Sequence, residues 1–469
     1  MGALTALLNL SQNALLASQQ AIDITSNNVA NANTPGYTDE LAVWQENDSV
    51  SLSGNASSGE GASVSAQSVR DPVLNQRVQQ QTQTQASASQ LSATLSQLQS
   101  IFGITASSSS AVSTTIGTDM SAFFNSLSAL QASPSDGSVR TSVLNAAKTL
   151  ASDFNNASSQ IGQLRTGLNQ QIPGIVGQVN SLTASIASLN LQIASTSPNA
   201  DAGTLEDQRQ QDLTQLSQCI GFDQTKTENN GITLTTGNGA PLVSGGVAYA
   251  LSTGSSGGNA TVLSASGQDI TSGITGGQLG GVIEARDQQL APYLSQLNLL
   301  AYGVGNAVNA QNVAGIDGNG NPGGWIFALG PNAGNAAAEI AVGASDPNVV
   351  AAATVGEGAT GSGNAAALAA IQNQAQVSLN NQTPAGYFAS FLTQVGDAAS
   401  TAANESTTQQ ASLTQLTTQQ SSESSVSLDQ EASNLTLYER SYDAAAKVFT
   451  IVDEVMASAL NLGEETTVS

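Results

Sequence analysis

Two stretches of apolar residues at seven-residue spacing, one near each end of the chain, constrain its fold more than any other feature. Near the amino end, the residues that recur every seven positions are Leu8, Leu15, Ile22 and Val29. Near the carboxyl end they are Leu428, Leu435, Tyr442, Phe449 and Met456, and Tyr438 and Val452 belong to a second series three positions further on. This spacing is typical of a coiled-coil seam, so we predict that both ends are helical and pair with each other. The alternative is that each helix packs separately on a globular body, which would favour a broader apolar face.

The chain between these stretches is predicted to be mainly α with a β-rich insertion, in an elongated multi-domain molecule. Asn33-Thr34-Pro35-Gly36 ends the first helix. Helical periodicity then covers about 69–102, 118–131, 139–195, 205–220 and 281–312 and resumes at 365, whereas a hairpin is expected in 41–66 and strands in 232–263. The predicted domains are a terminal coiled-coil assembly domain (1–36 and 425–469), a helical-bundle domain (37–204, 281–312 and 365–424) and a β-rich outer insertion (205–280 and 313–364).

The charge balance and the missing residue types exclude several classes of function. Ten Lys and Arg residues against 34 Asp and Glu residues give a net charge of −24, with no histidine and one cysteine. Nucleic acid and anionic membranes both need clustered basic residues, so we expect neither as a partner. Without histidine there is no Ser-His or Cys-His pair and no His-ligated metal. We therefore predict a structural or interaction protein that is not an enzyme and has no cofactor.

The amino-terminal sequence does not fit an ordinary targeting signal. Its first basic residue is Arg70, whereas a secretory signal peptide begins with a positively charged region. No run approaches the ~18 consecutive apolar residues of a transmembrane helix. We expect a chain that stays in the cytoplasm or leaves by a route that uses no cleaved, basic signal.

One segment resembles the start of a calcium-binding loop. Asp317-Gly318-Asn319-Gly320-Asn321 has the right opening, but Pro322 stands at the position of the required glycine and Ala328 at that of the closing glutamate. We predict an ordinary turn.

The remaining candidates for chemistry are also better explained as structural residues. Glu206 and Asp207 are adjacent carboxylates, but neighbours on a helix point in different directions, and Arg209 is a simple ion-pair partner. Cys219 is expected to be a small buried residue. The two tryptophans are expected to be packing anchors: Trp44 and Trp325. We predict no catalytic, cofactor or metal site.

Both ends of the chain carry motifs that point to one family. Residues 11–37, SQNALLASQQAIDITSNNVANANTPGY, resemble the amino-terminal signature of the bacterial flagellar axial proteins, which include rod, hook and hook-associated proteins. Residues 427–435, SLDQEASNL, resemble the carboxyl-terminal signature of the same family. Between them, FFNSL at 123–127 and DQR at 207–209 resemble the hook-associated protein 1 branch. Three departures from its pattern affect local interfaces: Asp39-Glu40, Gln210 and Ser425.

The resemblance implies a junction protein between the flagellar hook and filament. It implies a tubular or ring-shaped homo-oligomer and export through the flagellar type III apparatus without signal cleavage. The implied partners are its own copies, the hook protein, a second junction protein (hook-associated protein 3) and an export chaperone. The implied assembly interface consists of the seam positions above together with Asn31, Asn33, Pro35, Gly36 and Tyr37.

Two further expectations accompany this interpretation. Helices that cannot bury their apolar stripe alone should become ordered when neighbouring subunits supply partners, so we expect 1–36 and 425–463 to be mobile in the monomer. The alternative function is a secreted adhesin or scaffold whose β-rich insertion binds a ligand. A carboxylate-based hydrolase ranks below both.

Overall fold

The computed structural model describes residues 2–46, 50–51, 57–58, 61–104, 115–197, 201–358 and 360–464. Helices dominate these ranges: α1 Gly2–Asn31, α2 Pro72–Ile101, α3 Thr115–Ala132, α4 Gly137–Thr196, α5 Thr204–Cys219, α6 Gly277–Glu284, α7 Ala291–Ala314, α8 Ala336–Glu339, α9 Gly363–Ala370, α10 Pro384–Ser424 and α11 Leu428–Glu464. A π-helical segment, Ala285–Leu290, joins α6 to α7. The predicted fold class, mainly α with small sheets in an elongated molecule, is confirmed.

The long helices begin at residues that suit a helix start. The Asp71 carboxylate accepts hydrogen bonds from the amides of Val73 (2.8 Å) and Leu74 (3.1 Å), and a proline follows it at the first turn of α2. Asp136 caps α4 in the same way, accepting from the Ser138 amide at 2.8 Å. These local signals explain why the predicted helix starts lie close to the observed ones.

The strands form small antiparallel sheets. They are β1 Glu40–Glu46, β2 Val50–Ser51, β3 Ser57–Ser58, β4 Ala62–Ser68, β5 Asp223–Lys226, β6 Ile232–Thr235, β7 Pro241–Ser244, β8 Val247–Ala248, β9 Ser252–Ser256, β10 Asn259–Leu263, β11 Phe327–Ala328 and β12 Ala341–Val342. Strands β5 to β8 make one four-stranded sheet in sequence order, and β1 pairs with β4 in the predicted amino-terminal hairpin. Strand β5 lies outside the predicted strand ranges, because it lacks the apolar alternation of a half-buried strand.

One continuous apolar core holds together what we call the body, the chain from α2 to α10. Its buried residues run from Leu95 to Ala402 and include Phe154 of α4 together with Leu234 and Val243 of the sheet. The β-rich residues therefore share a core with the helices. The domain boundaries drawn from the sequence stay a prediction.

Helices α1 and α11 pack against each other and carry the β1–β4 hairpin, and we call this unit the terminal pair. Its buried apolar cluster is small and consists of Ala17, Ala21, Ile24 and Val64, with Tyr438 of α11 packed beside it. The predicted pairing of the two ends is thus confirmed.

The α1 side of the seam has a different register from the predicted one. The predicted residues Leu8, Leu15 and Ile22 are only half-buried, and Val29 is exposed. The buried positions are instead mostly small or polar: Ser11, Ala17, Ser18, Ala21, Ile24, Thr25 and Asn28. Small side chains let helix backbones approach closely, which turns the larger leucines outward. A prediction that placed the largest apolar residues in the seam was therefore wrong on α1.

The α11 side mostly follows the predicted heptad. Most of the predicted residues are buried or half-buried: Leu435, Tyr438, Phe449, Val452 and Met456. The exceptions are Leu428 and Tyr442, which are exposed. Within the described ranges, no helix combines the length and apolar character needed to cross a membrane.

Candidate assembly interface and its joint with the body

The terminal pair exposes many large apolar side chains. Each of the following is at least 38% exposed: Leu7, Leu10, Leu16 and Val29 on α1, and Leu428, Leu437, Tyr442, Val448, Ile451 and Val455 on α11. Single exposed apolar residues are normal, but ten of them on two paired helices leave much apolar area in contact with water. We call these ten residues the apolar faces. They include only Val29, Leu428 and Tyr442 from the predicted interface.

The predicted interface residues after α1 form a tight turn that rests on the body. The amide of Thr34 donates to the Asn31 carbonyl (2.8 Å), and the Tyr37 amide donates to the Thr34 carbonyl (3.2 Å). Gln211 of α5 donates to the Pro35 carbonyl at 2.7 Å. Asn33 is exposed beside them.

Glycine is required at position 36 of this turn. Gly36 has φ +82°, and a Cβ there would lie 2.5 Å from Nε2 of Gln211. Four of the five predicted turn residues, Asn31, Pro35, Gly36 and Tyr37, therefore shape or position the turn, and the contacts that they make lie within this one chain.

Asn28, which the predicted site omits, binds the terminal pair together. Its side chain is fully buried, and its amide nitrogen donates to the Glu40 carbonyl (2.8 Å) and to Oε2 of Glu431 on α11 (3.1 Å). Its amide oxygen accepts from the Tyr37 hydroxyl (2.8 Å) and the Glu40 amide (3.1 Å). One side chain thus links α1, the following turn, β1 and α11. Asn28 lies within the family signature at residues 11–37, but the seven-residue spacing of apolar residues gives no reason to expect an asparagine at the centre of these contacts.

Arg70 is the principal cation where the terminal pair meets the body. Its guanidinium donates to Asp207 (3.0 Å), Asp201 (3.4 Å) and Glu206, and also to the Gly203 carbonyl and the Ser68 hydroxyl, each at 3.0 Å. Its side chain is 13% exposed. A buried guanidinium with this many acceptors fixes the geometry of all the segments that supply them.

Further hydrogen bonds fasten the segments that cross between the two units. Thr38 donates to Asp207 through both its amide (3.1 Å) and its hydroxyl (2.8 Å). The Asp39 amide donates to the carbonyl of Ser424, at the end of α10 (2.9 Å). We call residues 37–40, 68–70 and 201–207, together with Asn28 and Glu431, the joint.

Burial and like charges shift the acid–base properties of the joint. Burial, followed by the nearby Asp201 and Asp207 carboxylates, raises the pKa of Glu40, and burial with the Glu431 carboxylate raises the pKa of Asp39. Burial alone would also raise the pKa of Asp201, but hydrogen bonds from Ser68 and Gly203 and the charge of Arg70 lower it. Arg70 therefore binds one group of carboxylates, those of Asp201, Glu206 and Asp207. The carboxyls of Asp39 and Glu40 are instead repelled by carboxylates near them.

The residues considered for catalysis or metal binding have structural roles. Glu206 and Asp207 hold Arg70, and Arg209 lies 3.9 Å from Glu206 as the predicted ion-pair partner. The Asp317 carboxylate accepts from the amides of Asn319 and Asn321, both at 2.8 Å, as in an ordinary turn. Among the described residues, no group of three or more potential metal ligands comes together.

The lone cysteine and the two tryptophans give mixed outcomes. Cys219 is buried as predicted, and burial raises the pKa of its thiol. Trp44 is a partial anchor, with its ring centroid 6.2 Å from that of Tyr438. Trp325 is 67% exposed, so its prediction as a packing anchor was wrong.

Three family models match successive parts of the chain. The helical domain of flagellar hook-associated protein FlgK matches residues 95–327, the flagella basal body rod protein matches 8–38, and the carboxyl-terminal model of the flagellar basal body rod FlgEFG proteins matches 418–462. The chain belongs to the flagellar hook-associated protein 1 family. The rod-protein models cover the terminal pair, and the helical-domain model covers the greater part of the body.

Individual relatives agree with this membership. Flagellar hook-associated protein 1 of Escherichia coli is 29% identical over 70% of this chain and 60% of its own length, and that of Salmonella typhimurium is 28% identical over the same shares. This chain thus spans about 60% of the length of those two relatives. The Bacillus subtilis protein of the same name is 26% identical over 97% of both chains. The flagellar hook junction protein FlgK from Burkholderia pseudomallei has a similar fold, with a TM-score of 0.67 at 22% identity, covering 75% of this chain and all of that one.

Proposed function

We propose that this chain is a structural subunit of the bacterial flagellum that forms the junction between hook and filament by self-assembly through α1 and α11. The apolar faces are the observation that carries the proposal. The terminal pair buries only four apolar residues in its own cluster, whereas ten large apolar side chains remain exposed on its two helices. Neighbouring copies would cover those side chains and remove their apolar area from water.

We base the proposed partners of this chain, and its proposed location, on its family membership. We propose that the chain contacts its own copies, the hook protein and a second junction protein of the hook-associated protein 3 type. An export chaperone that covers the exposed side of α11 before assembly would prevent premature association. The chain would be part of the extracellular flagellum and would leave the cell through the flagellar export apparatus without signal cleavage.

Family membership favours this function over the adhesin alternative. The carboxylates that suggested a hydrolase hold Arg70 at the joint, so they supply no argument for an enzyme. We propose that the chain works as a structural part.

Complementation of a deletion strain tests the proposal. Leu437→Ser and Ile451→Ser together should leave the body folded and the subunit exported, but cells should carry hooks without filaments in electron micrographs. The matched control is Val355→Ser with Val377→Ser, because these residues are also exposed and apolar but lie on the body. Normal filaments with the α11 variant, or equal loss with the control, would show that the apolar faces do not drive assembly.

A further inference from the structure

The joint contains more negative charge than its cations can balance. Six carboxyl groups lie in it, whereas Arg70 is its one guanidinium and Arg209 adjoins it. Arg70 binds three of the six, those of Asp201, Glu206 and Asp207. The other three, Asp39, Glu40 and Glu431, have no ion-pair partner among the described residues.

Two of these three carboxyls lie between the units that the joint connects. Glu40 is at the start of β1, and the Cβ of an alanine at position 203 would lie only 2.5 Å from its Oε1, so its carboxylate lies close beside the loop of the body that binds Arg70. Asp39 is the preceding residue, and its Oδ1 is buried with no hydrogen-bond partner among the residues that the structure describes. When both are ionised, Asp201 and Asp207 on the body repel Glu40 more strongly than Arg70 attracts it, and Asp39 repels Glu431 on α11.

We propose that the joint is a pH-sensitive latch that holds the terminal pair on the body more tightly when Asp39 and Glu40 are protonated. The neutral carboxyls relieve the repulsion on both sides, and a protonated oxygen can also donate a hydrogen bond. The latch acts through two residues of the connecting segment, so it changes how the units are held without altering either core. The latch would operate whatever the function of the assembled subunit.

The direction of the pH effect follows from linkage. An acid whose pKa is raised in the docked state favours docking at low pH, and this contribution is lost as the pH rises through the raised pKa. The Arg70–Asp201 pair acts oppositely and weakens only when the Asp201 carboxyl, whose pKa is lowered, takes up a proton in acid. Docking should therefore be tightest in mildly acidic solution. The titratable and charged side chains on the surrounding segments are Tyr37, Arg70, Asp71, Asp201, Glu206, Asp207, Arg209, Glu423, Asp429 and Glu431.

Amide hydrogen exchange on the full chain tests the latch at the backbone bonds that cross the joint. The amides of Thr38, Asp39 and Ser68 donate to Asp207, Ser424 and Asp201 respectively, so their protection reports docking. After correction for intrinsic rates, their protection should fall about tenfold between about pH 5 and about pH 8, because the raised pKa values of Asp39 and Glu40 favour docking only while these carboxyls hold their protons. Protection that stays constant or rises over this interval would overturn the proposal.

Variants locate the effect. Glu40→Gln and Asp39→Asn keep the shape of each side chain and remove its charge, so each should raise protection at the alkaline end and flatten the profile. Glu439→Gln is the control, because it removes an exposed charge on α11 away from the joint. A wild-type slope in both joint variants, or the same flattening in the control, would also contradict the latch.

Discussion

The body and the terminal pair are both mainly helical, but they bury apolar residues in opposite ways. The body encloses its phenylalanines and leucines in one continuous core, and Phe123, Phe124 and Phe154 are fully buried there. The terminal pair buries mostly alanine, serine and asparagine on α1 and leaves Leu7, Leu10 and Leu16 of that helix exposed. The body therefore has the packing of a unit that folds alone, whereas the terminal pair has that of a unit completed by others.

A pair of phenylalanine substitutions should give the largest contrast between the two units. Phe154→Ala removes a fully buried ring from the body core and should cost about 3–5 kcal/mol. Phe449→Ala removes a half-buried ring on α11 and should cost less than about half as much, because solvent already reaches the site. Urea denaturation of both variants checks this. Equal losses would show that the terminal pair has a core as complete as that of the body.

Removing the cation at the joint should have a smaller effect on the body but separate the two units. Arg70→Met leaves three carboxylates without their shared partner, and loss of one member of a buried ion network typically costs about 3 kcal/mol. We expect limited proteolysis to release the terminal segments while the body stays intact. Arg77→Met, at an exposed arginine on the helix that follows, α2, is the control. Similar resistance to proteolysis in both variants would exclude Arg70 as the main link.

The smallest effect concerns a carboxyl pair inside the body. Burial, followed by a hydrogen bond and the charge of Asp119 on α3, raises the pKa of Asp153 on α4 to about 7. The folded body therefore holds a proton that the unfolded chain releases, and this stabilisation is lost as the pH rises through about 7.

Asp153→Asn should consequently stabilise the body relative to the wild type more at pH 8 than at pH 5. Melting temperatures at both pH values measure the difference, and Asp223→Asn, at an exposed site on β5, is the control. A stabilisation of the same size at both pH values would contradict the shared proton.

The sequence supports the elements of this fold better than the contacts between them. Apolar periodicity and stop signals such as Asn33-Thr34-Pro35-Gly36 predict the helices because both are local signals along one helix. The predicted register of α1 is wrong because the largest apolar side chains do not mark the buried face of this helix. Close approach of the two helices favours small residues there, such as Ala17 and Ala21. Periodicity cannot show this, since it locates a stripe but not the neighbour that the stripe faces.

The joint was out of reach of the sequence for another reason. Arg70 binds Asp207, which lies 137 positions away, and Asn28 binds Glu431, which lies 403 positions away. No local pattern marks such pairs. Asp207 was interpreted as part of an ordinary carboxylate pair with a nearby arginine, and its partnership with a distant arginine became visible only in three dimensions.

Amide hydrogen exchange on the monomer and on the assembled subunit tests the central claim, that the terminal pair is incomplete until neighbours cover it. In the monomer, amides within α1 and α11 should exchange at least about a hundredfold faster than those of α3 and α4, because local opening of a poorly buried unit costs little free energy. Assembly should raise their protection to the level of the body. Strong protection of both terminal helices in the isolated monomer would contradict the account.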